Sequence, residues 1–110
     1  MITMIAHLKV SSVNAPAFAA LMTRVRDQVH AHEPDVLYYE FASSADEPDT
    51  FVVIEVYRDG AAHAAHMAAP WVQESLPVSL GLIEGAPHIR QYITPGTEPV
   101  RRTVGVSEDD

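Results

Sequence analysis

The chain has 110 residues, 47% of them hydrophobic and 20% charged, which is one domain's worth of folded sequence, neither disordered nor membrane-spanning. Seven basic residues against 15 acidic ones leave a formal net charge of −8, which repels a phosphate backbone and argues against nucleic acid as a partner. Cysteine is absent, so disulfides, thiolate metal sites and thiol nucleophiles are excluded.

Residues 2 to 10 alternate, with Ile2, Met4, Ala6, Leu8 and Val10 on one face and Thr3, Ile5, His7 and Lys9 on the other, which predicts a strand with one wholly apolar face. This opening segment does not read as a signal peptide, and no apolar run approaches the ~20 residues that span a bilayer, so a soluble, cytoplasmic protein is expected. Asn14 can cap a helix whose first turn tolerates Pro16. Phe18, Leu21, Met22, Val25 and Val29 then recur at helical spacing. The helix should end near His32, because Pro34 disfavours helical geometry at Glu33.

A second strand is expected over residues 36–42, with Leu37, Tyr39 and Phe41 on one face. The polar stretch 43–49 makes a turn, and residues 50–58 form the most β-prone segment, so these two strands should make a hairpin. Asp59-Gly60 starts an alanine-rich helix carrying His63 and His66, which Pro70 ends or restarts. A short helix is then expected from Trp71 toward Leu76, interrupted by Pro77, and a last strand over residues 87–93.

The order is βαββαβ, the split βαβ motif of ferredoxin-like α+β folds with a four-stranded antiparallel sheet. Helices cover one face of such a sheet, and face-to-face pairing of two subunits hides the other, so a homodimer is expected. The domain occupies residues 1–93. Residues 94–110 show no core periodicity and form a tail that is either frayed or packed on the partner subunit.

Four pieces, in order, carry a resemblance. Glu33-Pro34-Asp35 with Tyr39, Asp49-Thr50-Phe51, Glu55-Val56-Tyr57-Arg58-Asp59 and Ala65-His66-Met67-Ala68-Ala69-Pro70 are similar to the Glu-Pro-Gly, Asp-x-Phe, Glu-x-Trp-x-Asp and Ala-His-x-x-x-Pro pieces of the antibiotic biosynthesis monooxygenase (ABM) superfamily. That group includes small quinol monooxygenases, and its fold is the dimeric α/β barrel. Two positions depart from the pattern. Asp35 replaces glycine, which Asp accommodates by entering left-handed geometry, and Tyr57 replaces tryptophan, bringing a polar tip into a place often apolar.

The resemblance implies a cofactor-independent monooxygenase that needs no flavin, haem or metal. It would bind an electron-rich aromatic, remove a phenolic proton and shield the anion, which itself reduces O2. Histidine is the natural base. His66 is the residue the resemblance carries over, as general base or substrate anchor. It reads equally as a histidine packed at the helix–sheet boundary.

His63, one turn away, belongs with the substrate or, with His66, to a metal pair, for which no third ligand is evident. Tyr39, Tyr57 and Trp71 form either an aromatic wall for a planar substrate or plain core, and Arg90 either holds a substrate oxygen or is a surface charge. Glu55 interrupts an apolar strand and needs a partner, in the dimer or in catalysis. His7 looks into the dimer interface if the apolar face of its strand meets the helices. His30 and His32 favour the negative end of their helix.

The leading expectation is therefore a homodimeric monooxygenase of a small phenol, quinol or anthrone, with His66 at its centre. The alternatives are a non-catalytic dimeric ligand-binding or stress-response module and, on the same fold, haem degradation. For the last, the expected tryptophan and histidine positions hold His66 and Leu76 instead.

Overall fold

The apolar alternation of the first segment becomes β1 (Ile2–Lys9), whose Ile2, Met4 and Ala6 are buried while His7 and Lys9 are exposed. The computed structural model of the protein describes residues 1–100. After β1 come α1 (Ala15–His32), β2 (Val36–Ser43), β3 (Thr50–Tyr57), α2 (Gly60–Ala68), α3 (Pro70–Leu82) and β4 (Glu84–Ile93). The strands form one antiparallel sheet in the order β2-β3-β1-β4. This is the expected ferredoxin-like α+β arrangement. Among the described residues no helix is long and apolar enough to cross a membrane.

Residues opposite one another in an antiparallel ladder share a face, so the register divides the sheet. Met4 pairs with Glu55 and Gln91, and Glu55 pairs with Tyr39; Ala6 pairs with Val53 and Ile89. These point toward the helices. Ile5 pairs with Ile54 and Arg90, and His7 with Val52 and His88, on the outer face. Burying Phe18, Met22, Val25 and Val29 of α1 on the inner face makes the main core. Phe18 is fully buried and meets Phe51 edge-on at 5.0 Å, so its burial contributes about 2–3 kcal/mol.

Several local expectations are corrected. Asn14 occupies the N-cap position of α1 but makes no side-chain cap; its Nδ2 instead donates to the carbonyl of Leu82, 3.2 Å away, tying the start of α1 to the end of α3. Leu37 does not join Tyr39 and Phe41, because the ladder slips between Val36 and Tyr38 and leaves Leu37 exposed. Among the described non-glycine residues the left-handed one is Asp49 in the β2–β3 turn, at φ 55°, and not Asp35.

The third helix does not stop at Pro77 but runs through it to Leu82. Proline removes one helical N–H and crowds the preceding turn. Two neighbouring carbonyls are held by side chains, since Ser75 Oγ donates to Val72 and Ser79 Oγ to Leu76. The residue whose carbonyl loses its helical donor, Gln73, four residues before Pro77, is exposed.

The last strand starts earlier than expected, at Glu84, with a register shift between His7 and Lys9 that accompanies the positive φ of Gly85. Residues 94–100 fold back on their own chain: Gln91 exchanges two hydrogen bonds with the backbone of Val100, which packs over Ile2, Met4, Tyr57 and Ala62. The rest of the tail, 101–110, lies outside the described residues.

Candidate functional site

Asp59 caps α2 by accepting from the backbone N–H of Ala62 at 2.9 Å, which fixes the helix's rotation and turns Ala62 and His66, four residues apart, toward the sheet. His66 is 3% exposed, and a histidine so buried needs partners for its ring nitrogens. Glu33 supplies one. It is the C-cap of α1, held there by its N–H donating to Val29 and blocked from continuing the helix by Pro34.

From that corner the Glu33 carboxylate reaches His66. Its Oε1 and Oε2 lie 3.0 and 3.2 Å from Nδ1 of His66, and Trp71 Nε1 donates to Oε2 at 2.6 Å. The pair is deeply buried, with the Glu33 side chain 10% exposed. A carboxylate accepts only, so the ring N–H on Nδ1 donates to it; whenever the ring is neutral, its lone pair is then on Nε2.

A cavity of about 140 Å³ lies between the helices and the inner face of the sheet. Met4, Ala6 and Val53 of the sheet floor it; Phe18, Met22 and Val25 of α1 and Val72 and Leu76 of α3 wall it. Its polar groups are His63, His66, Tyr39, Glu55, Ser75 and Ser79. Among the described residues no lysine or arginine lines it.

Glu55 enters this space from β3. The hydroxyl of Tyr57 donates to its Oε1 in a short hydrogen bond. Withdrawal from water raises the Glu55 carboxyl above the ordinary carboxylate value, the Tyr57 hydrogen bond and the His66 charge opposing. The phenols of Tyr57 and Tyr39 are pushed well above the usual tyrosine range, first by burial and then by the nearby Glu55 charge. Both remain neutral at physiological pH. His63 is lowered, by burial first and by His66 second, and so is favoured in its neutral form.

The structure brings most of the expected residues together. Tyr39 and Tyr57 flank His66, with ring centroids 5.3 and 5.5 Å away, and His63 meets Tyr57 edge-on at 5.1 Å. Tyr57 is fully buried and supports Glu55. Trp71 stands behind His66, stacked on His32 at 5.2 Å and bonded to Glu33. Arg90 stands apart, exposed on the outer face opposite Ile5. Among the described residues no group of three or more His, Asp or Glu has the arrangement of a metal site.

The sequence reading misses the role of Glu33 and leaves Glu55 between two roles. Glu33 was legible only as part of the Glu-Pro turn, yet an acid at a helix C-terminus sits against the negative end of the dipole and so calls for a partner. Glu55 was recognised as anomalous but was expected more readily in a dimer contact; the register with Met4 and Tyr39 puts it on the cavity side.

A two-layer split βαβ domain holding an apolar cavity, with a few converging polar groups, is the architecture of a small-molecule site. The family model for antibiotic biosynthesis monooxygenases matches residues 1–76, and the chain belongs to that family. A Caulobacter crescentus CB15 protein, itself provisionally assigned as an antibiotic biosynthesis monooxygenase, is similar in structure. Its TM-score is 0.79 at 26% identity, over 83% of this chain and 86% of the other. A provisionally assigned family member from Nitrosomonas europaea superposes with a TM-score of 0.75 at 22% identity, over 86% and 99% of the two chains. A conserved protein from Methanosarcina mazei Go1 shares the fold, with a TM-score of 0.77 at 16% identity over 83% and 89%. No curated protein matches the sequence.

Proposed function

We propose that the protein is a cofactor-independent monooxygenase that oxidises a small electron-rich aromatic, a phenol, quinol or anthrone, with O2, using His66 as general base or substrate anchor. The observation that carries this reading is the Glu33–His66 pair at an apolar cavity. Glu33 fixes the tautomer, so that Nε2 takes the acidic proton of the substrate. The apolar walls keep water from the electron-rich anion.

The anion then reduces O2. One oxygen atom becomes the new carbonyl of the product and the other leaves as water, so an aromatic C–H beside the activating oxygen, or an anthrone CH2, supplies the electrons and no external reductant is consumed. Oxygen uptake with a panel of phenols, hydroquinones and anthrones tests this. Uptake above the uncatalysed rate for at least one, lost in His66→Ala, is expected; no uptake for any overturns it.

The same reading includes a homodimer formed through the outer face of the sheet. Ile5, Val52, Ile54 and Val56 lie there, together with Tyr38 and Tyr92, which are 49% and 53% exposed in the single chain. This apolar stretch, flanked by His7, His88 and Arg90 on the same face, favours burial against a second copy. Sedimentation should give twice the chain mass, falling to one in Ile54→Glu.

A further inference from the structure

Glu55 poses a problem that neither the core nor the proposed base resolves. It is a carboxyl in the middle of β3, surrounded on the inner face by Met4, Tyr39 and Val53, where an apolar residue would pack at lower cost. One oxygen, Oε1, is taken by the Tyr57 hydroxyl. The other has no hydrogen-bond partner among the described residues, and Glu55 lines the cavity. Tyr57 is itself fully buried, so the pair is rigidly held.

We infer that Glu55 is a hydrogen-bond donor to the bound molecule, and that the cavity selects uncharged single-ring aromatics carrying an oxygen acceptor. The class of ligand rests on the proposed function above; the donor role of Glu55 does not. Three features define the class. Size is the first: an apolar cavity of about 150 Å³ holds one benzene ring, and this one measures about 140 Å³. Of the substrates proposed above, a single-ring phenol or quinol fits that volume and a tricyclic anthrone does not. Charge is the second: among the described residues no lysine or arginine lines the cavity, so an anionic ligand such as a benzoate would give up its hydration without a counter-charge.

Hydrogen-bond polarity is the third. Ser75 and Ser79 already donate to carbonyls of their own helix, which leaves Glu55, with the Tyr39 hydroxyl and the His63 and His66 rings, as the polar lining that meets a ligand oxygen. A carboxyl kept in its acid form donates to a ligand oxygen while Tyr57 holds its carbonyl oxygen. Burial favours that form. The ionisable groups around it are Tyr57 on its own strand, Tyr39 on β2, His63 and His66 on α2, and Glu33 at the end of α1; α3 contributes only serine hydroxyls. Glu33 works against ionisation of Glu55 and His66 works for it.

Acetophenone, toluene and benzoate separate these features, because none has a phenolic proton to lose and their binding is independent of turnover. Titration followed by NMR should show acetophenone binding roughly five- to tenfold more tightly than toluene, the worth of one buried hydrogen bond, and benzoate not at all. In Glu55→Gln, whose amide still donates, the preference for acetophenone should survive. In Glu55→Leu it should vanish. Raising the pH through the titration of Glu55 should erode the preference in the native protein but not in Glu55→Gln, a readout that stands even where Glu55→Leu fails to fold. Equal binding of acetophenone and toluene, a preference unchanged in Glu55→Leu, tight benzoate binding, or no binding of either neutral ring overturns the inference. A preserved acetophenone preference without oxidation of any phenol would overturn the monooxygenase reading alone.

Discussion

Nδ1 of His66 lies 3.0 Å from Oε1 of Glu33, although the two residues are 33 positions apart and belong to different helices. One end of this contact is a helix C-cap and the other the inward face of α2, so it locks the exit of α1 to the roof of the cavity. Removing the acid should therefore affect both chemistry and stability. Glu33→Gln, similar in size, can present its amide nitrogen to the ring and select the wrong tautomer; kcat for the oxidised phenol should fall roughly tenfold to a hundredfold with KM little changed. Glu33→Ala should in addition lower the unfolding free energy by about 2–4 kcal/mol in a urea titration, because two ring N–H donors lose their acceptor.

Trp71 should prove structural in its polar end and replaceable in its ring. Trp71→Phe keeps an aromatic against His32 but deletes the Nε1 donor to Glu33. A hydrogen bond to a buried carboxylate contributes about 1.5–3 kcal/mol. The urea midpoint should drop accordingly, and acetophenone binding should stay within about twofold, since Trp71 does not line the cavity.

Glu55 sets a pH dependence of stability whose sign follows from the direction of its shift. Its folded pKa lies above the ordinary value of 4.5, so between 4.5 and the folded pKa the native state holds a proton that the unfolded chain releases. That contribution is fully present below 4.5 and is lost as pH rises through the folded pKa. The neighbouring His63 is lowered from 6.5 and acts oppositely, favouring the fold as pH rises toward 6.5. The difference between native protein and Glu55→Gln isolates the first effect: stability relative to that variant should decline with rising pH above 4.5. A flat difference would show that Glu55 titrates as an ordinary carboxyl.

Pro77 sits inside α3 with Gln73 four residues behind it. Pro77→Ala restores the missing N–H and relieves the crowding, worth up to about 3 kcal/mol, offset by about 0.4–1 kcal/mol from the freer unfolded chain. A net gain of about 1–2 kcal/mol is expected, raising the thermal midpoint by roughly 4–16 °C for a domain of this size. Because Leu76 and Ser79, on either side, line the cavity, the acetophenone titration shows whether the proline also shapes the site.

The sequence by itself determined the order of elements and, for β1 and α1, the residues that form the buried side. Period-two alternation in residues 2–10 and helical spacing from Phe18 to Val29 are local signals, and the faces they define are the faces buried in the core. His66, Tyr39 and Tyr57 were within reach for the same reason, being part of an ordered set of short pieces. The tertiary structure alone decided which polar groups meet. Glu33 contacts His66 and Trp71 only because three helix ends converge, and Glu55 faces the cavity only because β3 pairs with β1 in one register; a slip of one residue would have turned it outward. Arg90 shows the converse: its type fitted an anion-binding role, but the ladder puts it on the other side of the sheet. Residue spacing fixes the face of an element, whereas the partner across the core depends on long-range packing that no local pattern encodes.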